Sequence, residues 1–418
     1  MVMTKARGSS FDAKRYGAIS AADYGVTGDG TTDDGAAVLA ALTALRDTDG
    51  IVELYFPPGT IRLQTPVSID MSTAPKPMRL LGCSGAPQFT VEGDEAVGIT
   101  LTDFRGGEIE GLSFLGDDDT GGTAAAFGLA LLEDSVGAFP RRVTVRDCLF
   151  EHFKRASAVN LDGSGGRGGA GMFIADGTHV MVERCEFLDN NQALWAWQTA
   201  DLTIRECRVD DTYKFGFDIR PGGIVRVHDC TFSGIGTLGT VFEESVNAVT
   251  TPYAGILLED ADQRGVIITG CGFTDSVCGI AGVDGSRITI RDCTFAPRNT
   301  SNDGDFTVFL RRFEQVTIDD NFWTCPASGS ANYDLVSVGS TSTKTAYSVR
   351  FRGNQVNPSG TVVHVLELDP GSGGTVALGF EGNTVGDDLS ASDWSITDVV
   401  QLVQGTINGA ITDNTIIA

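Results

Sequence analysis

Long apolar runs are missing from this chain: nowhere do about 20 consecutive apolar residues occur, so no membrane-spanning helix is expected. The first residues, "MVMTKARGSSFDAKRYG", lack the apolar stretch of a secretory leader, which predicts folding in a cytosol with reduced cysteines. The nine cysteines form no CxxC pair, arguing against the usual structural zinc site, and they are too dilute for a small disulfide scaffold. Positive charge is scarce as well. Against 55 Asp and Glu stand 30 Lys and Arg, leaving a formal charge of -25. That balance argues against nucleic acid and anionic membranes as partners. It would also repel a polyanionic polysaccharide unless cations or a local basic patch intervened, and as a solubility adaptation it needs no partner.

What the chain has in plenty is glycine, 53 residues, with only 20% charged residues, a globular and turn-rich composition. It also has an internal repeat. The stretch "VTVRDCLF" (143 to 150) returns as "VMVERCEF" (180 to 187), "LTIRECRV" (202 to 209), "VRVHDCTF" (225 to 232), "VIITGCGF" (266 to 273) and "ITIRDCTF" (288 to 295). Weaker copies continue it, with Asn321, Asn354, Asn383 and Asn414 in the cysteine slot. From Cys148 the slot recurs after 37, 22, 23, 41, 22, 28, 33, 29 and 31 residues. A base period of 22 or 23 with outward insertions predicts an all-β fold, a right-handed parallel β-helix in which each coil advances by one strand spacing of about 4.8 Å.

A second strand lies between the copies: "GMFIAD" (171 to 176), "ALWAWQ" (193 to 198), "GFDIRP" (216 to 221), "GILLED" (255 to 260) and "GIAGVD" (279 to 284), with "TVFLRR" and "DLVSVG" following. Two strand ladders per coil and a Gly-rich remainder are expected. Equivalent positions stack in such a solenoid, so Cys148, Cys185, Cys207, Cys230, Cys271 and Cys293 should form an inert internal file beside stacked phenylalanines. Stacked asparagine amides can satisfy one another further along.

The run "ADYGVTGDGTTDDGAAVLAALTAL" followed by "GIVELYFPPGTIRL" (22 to 63) resembles the opening motif of the pectate-lyase-like β-helix superfamily, which includes phage tailspikes, polysaccharide lyases, mannuronan epimerases and polygalacturonase-type hydrolases. The resemblance implies the fold and engagement of a polysaccharide. Physically, the motif predicts a short helix with Thr32, Asp33 and Asp34 at its positive end, and Ala37, Val38, Ala41, Leu42 and Leu45 as its apolar face, capping the solenoid. Asp29, Asp33 and Asp34 are read as turn and capping residues. The polygalacturonase-type NTD, DD, GHG and RIK motifs are not present as a set, and "FGFDIRPGG" is similar to the epimerase "YGFDPHE" with Arg220 and a Pro/Gly turn replacing the histidine and glutamate.

A site is therefore read from what the second ladder exposes. With Met172, Leu194, Phe217, Ile256 and Ile280 inward, alternation points Phe173, Trp195, Asp218 and Leu257 outward, then Ala175, Trp197, Arg220 and Glu259. Aromatic faces stack on sugars and paired carboxylates hydrolyse glycosides, so Asp218 and Glu259, with Arg220, are the candidate catalytic residues. Trp195, Trp197, Phe173 and Asp176 are the candidate glycan contacts. Asp260, Glu243 and Glu244 could complete or cover the groove, whereas a register slip or an overlying loop would bury the tryptophans. The arginines of the repeat (Arg146, Arg205, Arg291), with His228 in the same slot and Glu183 and Asp319 interspersed, are read as a solvated face; His179 is read as no site.

The organisation expected is an N-terminal arm (1 to 21), the opening motif with helix and first coil (22 to 63), regular coils (64 to 325) and irregular C-terminal coils (326 to 418). The function expected is that of a phage-type virion spike, a homotrimer that binds a cell-surface glycan and, if it is enzymatic, cleaves it as an endo-hydrolase. The arm with Lys5, Arg7, Lys14 and Arg15 is read either as an attachment to the virion or as an ordinary flexible leader, and lysis would release the spike without a secretory signal. The alternatives are a free lyase or uronate epimerase and a non-catalytic adhesion spike. No cofactor or metal ligand set is read from the sequence, although a lyase would add Ca2+.

Overall fold

The protein is described from a computed structural model, over residues 18–416 apart from 51, 74–76, 83–86, 94–95, 118–124, 134–139, 155–168, 237–242, 248, 262–264, 299–304, 325–332, 340–345, 358–360, 370–374, 387–394, 403–405 and 413. The arm residues Lys5, Arg7, Lys14 and Arg15 lie outside this set, as do the side chains of Glu243 and Glu244.

The octapeptide repeat folds as two strands and a corner. In its first full copy Arg141–Arg146 is extended, Asp147 turns with φ 54°, and Leu149–Glu151 runs off in a new direction. The corner recurs at Arg184, Glu206, Asp229, Gly270, Asp292 and Asp320, with φ between 49° and 67°. Aspartate and glycine tolerate this left-handed conformation best, and they hold five of those seven corners. Each full coil thus has three strands, not the two expected. The third was hidden inside the repeat because it spans only three residues.

The three-residue strands pair into one parallel 14-stranded sheet. The other two ladders share a 24-stranded sheet, because Cys278–Arg291 and Asp305–Asp319 run unbroken from one ladder into the next. All strand pairs are parallel except the hairpin of Glu243–Val246 and Val249–Pro252, among the described residues. It comes from the long insertion between Cys230 and Cys271.

The core is a set of files along the axis. Phe89, Phe114, Phe150 and Phe187 stack with centroids 5.1, 5.3 and 5.1 Å apart, and Phe232, Phe273, Phe295, Trp323, Phe351 and Phe380 continue the column. Offset stacking adds roughly 0.5–1.5 kcal/mol per pair beyond burial. The six cysteines of the repeat are buried free thiols, and desolvation pushes Cys185 and Cys230 well above the usual thiol range. Where the slot becomes asparagine, each amide oxygen accepts from the coil before it: Cys293 N–H donates to Asn321 at 2.9 Å, Asn321 to Asn354 at 3.0 Å, and Asn354 to Asn383 at 3.0 Å.

The N-terminal helix α1 spans Gly35–Asp47 and buries Val38, Ala41, Leu42 and Leu45 in the main core over the first coil. Asp34 stands at its N-cap position yet makes no side-chain cap. Its carboxylate instead accepts from the Thr27 N–H at 2.8 Å and the Gly28 N–H at 3.1 Å, tying down the turn before the helix. Gly59 turns with φ 125°, and a β-carbon there would meet the Gly28 carbonyl at 2.4 Å. Only glycine fits that approach.

Candidate functional site

The strand pairing reproduces the outward row in the expected register. Phe173 lies beside Trp195, Trp195 beside Asp218, and Asp218 beside Leu257; one pair along, Ala175, Trp197 and Arg220 align in the same way. None of these side chains joins the main core. They point outward, but most are not exposed.

Phe173, Trp195, Asp218 and Glu259 have relative exposures of 0, 1, 1 and 4%. This corrects the expected sugar-accessible surface: the outward side chains pack into two apolar clusters of their own outside the main core. Around Trp195, Phe127 and Phe173 stack with centroids 5.3 Å apart, and Phe173 to Trp195 is 4.5 Å. Farther along, Val246 of the insertion hairpin and Tyr253 beyond it pack on Phe215, Leu257, Ala281 and Phe309. Trp195 and Phe173 therefore belong to an outer hydrophobic cluster, and Asp218 and Glu259 are buried, each with a partner.

What reaches solvent is the edge of that layer. Trp197 is half-buried, edge-on to Trp195 at 6.2 Å, and carries the Arg220 guanidinium over its ring at 4.2 Å. Arg220 also pairs with Asp260. At this rim the chain turns the corner with positive φ at Asp176, Gln198, Asp260, Asp284 and Arg312. The hairpin tip is pinned there: Asn247 Nδ2 donates to Asp260 at 2.8 Å, and Arg312 donates to the Asn247 carbonyl at 2.9 Å. Arg312 Nε lies 3.1 Å from Asp284, so two arginines and two aspartates share one half-exposed network. Such a rim offers a cation–π pair and several hydrogen-bonding groups to a sugar.

Sequence reasoning missed the continuation of the row. By strand pairing it runs from Leu257 through Ala281, Phe309 and Ser337 to Glu367. Arg311 lies over the Phe309 ring at 4.0 Å and donates to Ser337 Oγ at 2.9 Å, while Ser337 donates to Glu367 at 2.6 Å. Burial lowers the Arg311 pKa. The signal was present in "TVFLRR" and "DLVSVG", had the alternation been carried through them. No group of three or more His, Cys, Asp or Glu is placed to hold a metal ion among the described residues.

Two family models match the chain. One, the right handed beta helix region, covers residues 87–295, half of the 418 residues. The chain belongs to that family. Within the β-helix family, the second model narrows the opening: residues 18–103 match rhamnogalacturonase A/epimerase, pectate lyase-like. A comparison of the sequence with curated proteins finds no match. Solved structures share the fold of this β-helix protein at low identity. The Azotobacter vinelandii mannuronan C-5 epimerase AlgE6 A-module is 12% identical with TM-score 0.57, covering 96% of this chain and 99% of that one. The Dettilon tailspike protein is 15% identical with TM-score 0.57, covering 97% and 71%. The Streptococcus pneumoniae surface protein and adhesin PfbA is 13% identical with TM-score 0.53, covering 96% and 100%.

Proposed function

We propose that this β-helix protein engages a cell-surface polysaccharide as a phage-type spike, with the glycan lying along the rim of the second ladder. The observation that carries the reading is the half-exposed Trp197 with Arg220 stacked on it, at the edge of an aromatic layer and beside Asp176 and Asp260. A sugar ring can replace or extend that stack while the rim carboxylates accept from its hydroxyls. A tailspike, a surface adhesin and an epimerase share the fold, which supports a glycan as the ligand class. Placement on a virion and a homotrimeric state belong to the same proposal. Val52 and Tyr213 are the exposed large apolar side chains among the described residues, so a trimer formed through them would need largely polar contacts.

Burial of Asp218 and Glu259 favours a second reading, adhesion without cleavage, because a carboxylate pair must reach the scissile bond to hydrolyse it. The test is a glycan-binding screen with Trp197→Ala and Arg220→Ala, alongside light scattering. Each variant should weaken binding of the recognised glycan about tenfold while melting like the parent. Unchanged binding by both variants would remove the rim as the site. Release of oligosaccharides from the bound polymer would restore hydrolysis, and a monomer in solution would remove the spike.

A further inference from the structure

A different surface answers the charge problem set by the sequence. At the corner leading into the first ladder, Arg105, Arg141, Arg142 and Thr178 line a cleft of about 490 Å³ that ends at His179. His179 also lines the next cleft, about 380 Å³, which continues past Asp201, its carboxylate 3.4 Å from His179 Nε2, to Thr203 and Arg226. Strand pairing fixes the arrangement. Arg105 sits beside Arg141, Arg141 beside Thr178, and Thr203 beside Arg226. From the coil of Pro77 to that of Arg226 the concavity crosses five strand spacings, roughly 24 Å.

These guanidiniums are unusual in this chain. Arg79, Arg146, Arg184 and Arg205, on the same ladder or its corner, each hold a carboxylate. Arg105, Arg142 and Arg226 hold none among the described residues, and the Nε of Arg105 is buried without a partner. In a chain with 55 acidic residues, acid partners are easily supplied, so three unpaired arginines along one groove call for an external anion. The net charge of -25 does not forbid this, because charges farther away than about 8–10 Å are screened at physiological salt and the groove's own field decides.

We infer that this groove is a second glycan site and that it binds an acidic polysaccharide through its carboxylate groups. Guanidinium forks match carboxylates bidentately, and Thr178 and Thr203 add hydroxyls suited to sugar oxygens. His179, beside Asp201, is the one aromatic ring in the lining, and no Phe, Tyr or Trp there offers a stacking platform, which favours a glycan over single-stranded nucleic acid. The inference shares with the proposed function the glycan as ligand class, but not the site.

The test is titration calorimetry on the full chain with a short oligogalacturonate, a sulfated dextran, neutral dextran and oligo-dT. Oligogalacturonate should bind, and binding should weaken as salt rises from 50 to 500 mM, a range chosen to shorten the screening length severalfold. Arg142→Ala and Arg226→Ala should each weaken it about tenfold, Arg105→Lys less, and Arg291→Ala, at an arginine already paired with Asp292 outside both sites, not at all. Tighter binding of oligo-dT or of sulfated dextran, equal binding of neutral dextran, no binding of oligogalacturonate, or indifference to the groove-arginine variants would each overturn the inference. Loss in Trp197→Ala alone would leave the rim standing and remove the groove; loss in the groove-arginine variants alone would do the reverse for this ligand. Melting curves matching the parent establish that these variants fold.

Discussion

The outer faces of the two long ladders are built on the same pleat and differ in what lies on them. On the first ladder one outward row runs Glu110, Arg146, Glu183, Arg205, with opposite charges on neighbouring coils. Each carboxylate is held by two arginines: Glu110 by Arg79 at 3.2 Å and Arg146 at 2.8 Å, and Glu183 by Arg205 at 2.9 Å and by its neighbour Arg184. In-register parallel pairing would stack like charges if every coil repeated one residue, so alternation is the condition for an open charged face. The second ladder places Phe173 and Trp195 in the corresponding row and is overlaid. A sheet face can stay bare if its charges alternate along the axis; one that carries aromatics acquires a lid.

The sharpest test of that contrast is truncation of Trp195. Trp195→Ala should cost about 3–5 kcal/mol in chemical denaturation, the range for a buried large aromatic, and should leave the first ladder's ion pairs intact. A loss below 1 kcal/mol, the value for an exposed ring, would mean that the overlying layer is not packed. On the first ladder Glu183 is itself buried, against the solvated face expected, but its partners Arg184 and Arg205 are half-exposed and can rehydrate, so Glu183→Gln should cost about 1–2 kcal/mol and less at high salt. An equal loss for both variants would erase the distinction.

The smallest effect is expected away from both faces, in the opening motif. Against the burial that raises it, Asp33 is held at about 2 by hydrogen bonds from Thr65, Gln64 and Gly35. A depressed carboxylate stabilises above its unfolded pKa and loses that contribution as pH falls through the folded value. Acidification from pH 4 to pH 2 should therefore loosen the turn before α1, read as faster amide exchange at Gly35, Gln64 and Thr65, and Asp33→Asn should flatten that dependence. Exchange at these amides that ignores pH in the parent would contradict the assignment, once intrinsic exchange rates are corrected.

The register was legible because the cysteine slot marks it. Once Cys185, Cys207 and Cys230 are aligned, the partners of Trp195 follow by counting, and the coil pairs them as counted. Exposure was not legible, because the cover over Leu257 and Phe309 comes from an insertion outside the repeat, where Val246 and Tyr253 carry no periodic signal. The third strand escaped because its three residues share an octapeptide with the first. The groove escaped for a similar reason: Arg105, Arg141 and Arg142 sit at corners, so their proximity depends on coil stacking across insertions of unequal length. Of the turn and cap roles read for Asp34, its carboxylate fills the turn role from the N-cap position, since a cap position does not oblige its side chain to cap.

The file of thiols also sets an order of events. Folded, Cys148, Cys185, Cys207, Cys230, Cys271 and Cys293 are sealed from oxidants by the coils around them. Unfolded, the same six are spread along one chain and free to cross-link in any of fifteen complete pairings, none of which the stacked core requires. If the chain were to meet an oxidant before it had wound up, or to unwind in its presence, such cross-links would oppose refolding. Its durability outside a reducing compartment is therefore set by how slowly the first coil opens rather than by the equilibrium between folded and unfolded chains.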